Sequence, residues 1–236
     1  MRSEKALMLG ISEMYLNGVS TRKVSSILKK MGLEEISSTT VSNYTQKLDV
    51  ELGKWREREL GQIVYLLVDA EYEKVRIDHS VVSTAVLIAY GVDNNGIRRV
   101  LGVSSSTSEA EVHWRDFFRS LQKRGLFGIK GITSDAHSGL KSAIKTCFPG
   151  VPWQRCNFHL QQNAGSYVTN KSKKKEVAED IRTIFNAPDK VEALRYLNIF
   201  LEKYKTTLPK LTEWADEALR EGLTFFDFPK EHQKKN

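Results

Sequence analysis

Two carboxylates stand at the ends of apolar runs. Ile63 to Val68 is an unbroken hydrophobic stretch of strand length that delivers Asp69, and GITSDAHSGL (131–140) delivers Asp135 after an approach that includes Ile129 and Ile132. Each acid alone can simply cap the turn after its strand. Side by side, two carboxylates repel, and each raises the pKa of the other unless a cation lies between them. Such hard oxygen ligands suit Mg²⁺ or Mn²⁺, which keep part of their water shell and engage phosphate oxygens. Two ions roughly 4 Å apart can activate an attacking hydroxyl and stabilise the leaving oxygen of an in-line phosphoryl displacement. Asp69 and Asp135 are therefore the candidate catalytic residues and metal ligands.

The charge pattern points to the same polymer. The chain carries +7 overall, and the stretch from Ala136 to Lys175 contains no Asp or Glu while holding Lys141, Lys145, Arg155, Lys171, Lys173, Lys174 and Lys175. That stretch alone is +7, so the rest is neutral. A lysine run such as KSKKK can be no more than a solvated face. An acid-free region that opens directly after Asp135 would also draw phosphates toward the carboxylate.

The elements that must position these residues follow from periodicity. Residues 4 to about 56 read as helical. Ser20 is placed to cap TRKVSSILKKM, in which Val24, Ile27, Leu28 and Met31 recur at helical spacing. After a turn near Gly32, SSTTVSNYTQKLDVELGKW puts Val41, Tyr44 and Leu48 on one face and Ser42, Asn43, Gln46 and Lys47 on the other. This is the pattern of a helix-turn-helix DNA reader, with Asn43 and Gln46 as its candidate contacts, and equally that of a plain helical hairpin. With +10 and −8 over residues 1–60, charge does not choose between them.

Strands follow. After 63–68 come VVSTAVLIAYGV (81–92), the turn Asp93-Asn94-Asn95-Gly96 and IRRVLGVSSS, an antiparallel hairpin. SEAEVHWRDFFRSLQKRGL is an amphipathic helix, with Ser108 as its expected cap and Gly125 as its stop. GIKGITSD is a fourth strand, HSGLKSAIKTC a helix, PWQRC a short fifth strand, and a further helix begins near Asn157. From Glu176 to about Gly222 the pattern is helical, with breaks at 186–188 and 208–209. This order predicts an α/β fold: a mixed, ribonuclease-H-like sheet with flanking helices, its first and fourth strands adjacent and parallel, so that Asp69 and Asp135 emerge together. The expected domains are a helical helix-turn-helix-like unit (1–58), the catalytic core (59–175) and a helical insertion (176–236).

Composition is ordinary for a globular protein, with 40% hydrophobic and 28% charged residues. No apolar run has the length of a membrane span, and two cysteines make no disulfide framework, so a cytoplasmic protein with no membrane partner is expected.

The wording of several segments is more specific. VDAEYEKVR, GVDNNGIRRVLGVSSSTSEAEVHWRDFFRSLQKRGL, GITSDAHSGLKSAI and PWQRCNFHLQQN closely resemble the transposases of Mutator-type insertion sequences, in order and in spacing, from about residue 12 through FFDFPKEH. The resemblance implies a DDE transposase. Its first two catalytic acids fall on Asp69 and Asp135, and its Cys-x2-His motif on Cys156 and His159. Two ligands do not make structural zinc, which takes four, and neither Cys147 nor His137 has supporting spacing. His159 is expected to orient DNA or a carboxylate, with Cys156 a small residue at a strand end. His137 could reach phosphate or simply lie at the surface. The family's third acid, a Glu on a helix in a TTN-x-x-E-like motif, has no counterpart here, because the chain stops at FPKEHQKKN.

The resemblance thus implies the middle part of a transposase, truncated at both ends and inactive as it stands. The intact enzyme would bind the terminal inverted repeats of its element and target DNA as double-stranded partners. Assembled on DNA, it would be a homo-oligomer that cleaves and joins strands. Lys141, Arg155, His159, Lys171, Lys173, Lys174 and Lys175 are the expected phosphate contacts. The alternative from another class is a non-catalytic DNA-binding regulator of full-length copies. A metal-dependent nuclease fits the motifs less well.

Overall fold

The computed structural model describes residues 2–33, 36–77 and 79–233. The chain divides into two compact units, Met1–Arg58 and Glu59–Asn236. The first is built from α1 (Arg2–Leu16), α2 (Thr21–Lys30) and α3 (Ser38–Glu57). Ser20 caps α2 by accepting from the Lys23 amide, and Ser37 caps α3 by accepting from the Thr40 amide at 3.1 Å. Such caps satisfy helix amides that have no partner inside the helix. Ile11, Val24, Leu28 and Val41 form a small core, with Leu7, Met14 and Tyr44 packed against it. The α2–α3 connection is tied down where the buried Ser25 hydroxyl donates to the Ile36 carbonyl at 2.7 Å. Met31 departs from the expected inward face: it closes the end of α2 and is 70% exposed. Asn43 and Gln46 lie exposed, one turn apart on α3.

The second unit is organised by a five-stranded mixed sheet. Its strands are β1 (Tyr65–Ile77), β2 (Ser80–Val92), β3 (Arg98–Ser106), β4 (Gly131–Ser134) and β5 (Trp153–Arg155), in the spatial order β3-β2-β1-β4-β5. β1 to β3 form an antiparallel meander; β4 joins β1 in parallel, and β5 joins β4 in parallel. Strand geometry sends alternate residues to opposite faces. Leu66, Val68, Leu87, Leu101 and Ile132 thus share a core with Trp114, Phe118 and Leu121 of α4 (Glu111–Lys123) and Leu140 and Ile144 of α5 (Ser138–Cys147).

Three boundaries differ from the sequence expectation. β1 does not stop at Asp69 but runs eight residues further, because β2 pairs with it as far as Ile77↔Ser80. The residues 71–76 are exposed, so the ribbon accepts the polar sequence EYEKVR. α4 starts at Glu111 with Ala110, not the expected Ser108, as its N-cap, and that cap makes no side-chain hydrogen bond. KSKKK is the first turn of a helix rather than its prelude: Asn170 accepts from the amides of Ser172 and Lys173 and so starts α7 (Lys171–Phe185) early.

A second core lies beyond β5. α6 (Asn157–Ser166), α7, α8 (Lys190–Tyr204) and α9 (Pro209–Glu221) bury Leu160, Ile181, Leu197, Phe200, Leu211 and Leu219 together. This helical layer begins at α6, well before the expected position of 176. A 3-10 turn (Thr224–Asp227) and α10 (Lys230–Gln233) bring the chain back to the sheet, where Phe228 rests on Gly131. One polar side chain on β5 joins sheet to helical layer. Gln154, 1% exposed, donates from Nε2 to the Gly222 carbonyl at 2.7 Å, and its Oε1 accepts from the Phe225 amide at 2.8 Å. No helix among the described residues is long and apolar enough to cross a membrane.

Gln154→Leu keeps the volume but leaves a buried carbonyl and a buried amide without partners. It is expected to lower unfolding stability by about 2–3 kcal/mol, read as a lower urea midpoint. An unchanged midpoint would mean that the two cores are joined by other contacts.

Candidate functional site

The register of the parallel strands builds the site. β1 and β4 pair as Tyr65↔Gly131, Leu66↔Ile132 and Leu67↔Thr133, an offset of 66, and Asp135 follows Asp69 by the same offset (135 − 69). β4 and β5 pair with an offset of 21, as in Ser134↔Arg155, which sets Cys156 beside Asp135 (156 − 135). The Cys156 amide donates to the Ser134 carbonyl at 2.6 Å and continues the ladder to that point. Continued past the last printed pairs, these offsets set Asp135 and Cys156, each one residue beyond the end of its strand, level with Asp69 on β1. Both acids are half-buried. Asp69 Oδ1 accepts from the Ala70 amide at 2.9 Å, and Asp135 Oδ1 accepts from the His137 amide at 3.2 Å.

Three helices begin around this row, and none carries a side-chain cap. The N-cap residues of α4, α5 and α6 are Ala110, His137 and Cys156, each without a capping hydrogen bond from its side chain. α2, α3, α7 and α8 are capped by Ser20, Ser37, Asn170 and Asp189, while α9, away from this row, also starts without a side-chain cap, at Leu208 before Pro209. Uncapped first-turn amides and the positive end of the helix dipole suit phosphate oxygens.

A third acid, which sequence reasoning passed over, stands close by. Glu109 lies in the β3–α4 connection and is half-buried. Burial pushes its carboxyl above the ordinary glutamate pKa. His137 opposes that rise, the negative charges of Asp135 and Asp69 add to it, and a hydrogen bond from the Tyr72 hydroxyl opposes it. The usable signal was topological. β3 runs parallel to β1 through the meander, so the turn after β3 must open on the same sheet edge as Asp69.

The expected basic contacts divide. Lys141 and Arg155 both turn to Glu221, at 2.6 and 3.1 Å, and Lys141 also stacks over the Trp153 ring at 4.4 Å. The Arg155 side chain is only 11% exposed. Lys171, Lys173, Lys174 and Lys175 sit at the start of α7, beyond the ten residues of α6, which span about 15 Å. His159 lies one turn into α6, next to the exposed ring of Phe158, and its Nδ1 is buried without a hydrogen-bond partner among the described residues. His137 is exposed.

The donor set decides which cation would fit. Among the described residues, no three His, Cys, Asp or Glu side chains converge closely enough to enclose an ion. Cys156 and His159 thus have no further zinc ligands around them. Two half-buried carboxylates on adjacent strands instead make an open oxygen site, which suits a hard divalent cation that keeps its water.

Comparison with known proteins places this arrangement in a lineage. The family model described as "Transposase, Mutator family" matches residues 1–236. The transposase for insertion sequence element IS406 of Burkholderia multivorans is 50% identical over 98% of this chain and 60% of its own length. That for ISRM5 of Rhizobium meliloti is 38% identical, over 99% of this chain and 58% of its own. That for IS256 in transposon Tn4001 of Staphylococcus aureus is 39% identical, over 80% and 48%. The chain thus spans roughly half to three-fifths of the length of these relatives.

The Glu221 bridge gives a test of where Arg155 is committed. Glu221→Gln keeps the shape but leaves a largely buried guanidinium without its counter-charge. A loss of about 1–3 kcal/mol in unfolding stability is expected, discounted from a fully buried pair because Lys141 and Glu221 are partly solvated. A variant as stable as wild type would show that Arg155 is not held by this pair.

Proposed function

This chain belongs to the Mutator family of transposases, and from that premise we propose that its second unit is a ribonuclease-H-like, metal-dependent phosphoryl-transfer site of the DDE type acting on the DNA ends of an insertion sequence. The observation that carries the reading is the parallel β1–β4 register, whose offset of 66, continued past Leu67↔Thr133, sets Asp135 just beyond β4 level with Asp69. The sheet order β3-β2-β1-β4-β5 supports the ribonuclease-H-like assignment.

In this reading Asp69 and Asp135 hold Mg²⁺ or Mn²⁺, which when bound lowers the pKa of an attacking hydroxyl and neutralises charge on the phosphate. The residues of the chain do the rest. The uncapped amides at the starts of α5 and α6 receive phosphate oxygens. His159 and the exposed face of α6 meet the strand beside them. The overall reaction is hydrolysis of a phosphodiester at the element end, followed by attack of the freed 3′-hydroxyl on target DNA. The protein assembled on those ends is a homo-oligomer.

DNA is held at two further places. Four lysines crowd the first five residues of α7, where the helix dipole disfavours positive charge and the first turn holds no acid; only Lys175 has a partner, Glu179 at 4.0 Å. A face that opposes its own helix in this way fits a polyanion better than it fits stability. Asn43 and Gln46, exposed on α3, are placed to read base edges, for which Asn and Gln are suited.

Mn²⁺ titration followed by electron paramagnetic resonance tests the metal site. Wild type is expected to bind, and Asp69→Asn and Asp135→Asn are each expected to lose most of that binding while still binding DNA. If both variants bind Mn²⁺ as wild type does, the site reading is wrong. For DNA, replacing Lys171, Lys173, Lys174 and Lys175 by Gln is expected to flatten the dependence of log K on log salt by about three. Replacing Asn43 and Gln46 by Ala is expected to reduce the preference for element ends over random duplex and to leave the slope alone. An unchanged slope in the lysine variant would leave the α7 start as an ordinary solvated face.

A further inference from the structure

A cavity of about 690 Å³ opens in the helical layer and has no part in the chemistry described above. Asn157 and Gln161, one turn apart on α6, line one side of it. Arg182, Phe185 and Asn186 line another at the end of α7, and Phe226 of the 3-10 turn with Lys230 of α10 completes it. Its volume falls within the range of ligand cavities, about 300–1,000 Å³. Asn157 directly follows Cys156, so the cavity begins at the same helix start that lies beside the carboxylates.

The cavity is built into the packing. Gly222 is buried behind it, and a Cβ added there would come 2.5 Å from Leu160, 2.9 Å from the Phe185 ring and 3.1 Å from Asn157 Oδ1. Only a residue without a side chain lets the end of α9 close on α6 and α7 at this point and bring Asn157 and Phe185 together. Asn157 Oδ1 also accepts from Gln154 Nε2 at 3.1 Å, which fixes the amide and leaves its Nδ2 without a partner among the described residues.

Three kinds of group meet there. Phe185 and Phe226 are half-buried aromatic surface, the second backed by Phe225 with ring centroids 4.1 Å apart. The side chains of Gln161 and Asn186 make no hydrogen bond among the described residues. Arg182 and Lys230 are exposed and form no ion pair among those residues, and no described Asp or Glu lines the cavity. Aromatic surface takes the face of a base whatever its identity. Side-chain amides match base edges, and unpaired cations match phosphate. A purely apolar ligand would use neither cation, and a simple anion would use neither ring.

We propose that this cavity takes an unpaired nucleotide of the bound DNA, its base against Phe185 and Phe226, its edge toward Asn157 and Gln161, and its phosphate on Arg182 and Lys230. The proposal rests on the reading of the chain as DNA-binding and is independent of the metal pair. It makes locally unpaired duplex, rather than fully paired duplex, the preferred partner of the second unit.

Fluorescence anisotropy with the full 236-residue chain tests it, using two labelled duplexes that differ only in one extra, unpaired nucleotide. Wild type is expected to bind the bulged duplex about tenfold more tightly, the scale of one base stacked on an aromatic ring. Replacing the extra nucleotide by an abasic residue should bring that preference to within about twofold of none, because the backbone remains and the stacking base is gone. Phe226→Leu, which keeps apolar packing but removes the ring, should lose the preference and leave the affinity for paired duplex unchanged. The double variant Arg182→Gln with Lys230→Gln should also lose it. Both of its residues are exposed, so this variant still tests the site if Phe226→Leu folds poorly. Free deoxynucleoside monophosphates at millimolar concentration should not displace the bulged duplex.

If wild type binds paired and bulged duplexes equally, this inference is overturned and the DNA-binding reading stands. A preference that persists with the abasic duplex, or in either folded variant, overturns it as well. Displacement by a free mononucleotide would overturn the assignment to a DNA strand. If wild type binds no duplex at all, both readings fall.

Discussion

Three backbone pairs between β1 and β4 set where Asp69 and Asp135 stand relative to each other. Tyr65↔Gly131, Leu66↔Ile132 and Leu67↔Thr133 are a short ladder, yet the side-chain period of a strand is two, so a slip of one residue would turn an acid to the opposite face. The ladder has little length of its own to resist such a slip. Its register is held by what lies on either side. Leu66 and Ile132 are fully buried under α4 and α5, and Phe228 sits on Gly131 so closely that no side chain could be added there.

β5 extends the same dependence outward. It has only three residues, and its central one, Gln154, is committed to Gly222 and Phe225 rather than to the α4–α5 core. The helical layer α6–α9 therefore serves as a clamp on the edge strand. Arg155 and Lys141, bound to Glu221 at the end of α9, add a second fastening between that layer and the sheet edge. Both cations, read in the sequence as DNA contacts, are paired in the structure with one acid 66 residues further along the chain from Arg155 (221 − 155).

The sheet was legible because its signals are local. Apolar strand-length runs, the Asp93–Gly96 turn and the amphipathic α4 gave the strand and helix order, and the order gave the parallel placement of Asp69 and Asp135. What stayed hidden depends on contacts between distant segments. The extension of β1 to Ile77 needs β2 as partner, since EYEKVR carries no apolar face of its own. Glu109 is an unremarkable acid in SSSTSEAEV until the chain path sets it against Gly139. The early start of α7 was obscured by charge: four lysines in five residues read as solvated, although Asn170 before them is an ordinary cap.

The missing caps around the site have a thermodynamic consequence. A Ser, Thr, Asp or Asn at an N-cap is worth about 1 kcal/mol to its helix, and the starts of α4, α5 and α6 all forgo it. Three such omissions amount to an appreciable fraction of the margin by which a domain stays folded. That fraction is recoverable by mass action, because a ligand that binds only the folded chain raises its stability as concentration exceeds Kd. In the proposed reading, a phosphate bound at those helix starts would return that stability to the fold. Substitutions that stabilise it by adding caps at Ala110, His137 or Cys156 would occupy with the protein's own side chains the amides it leaves open.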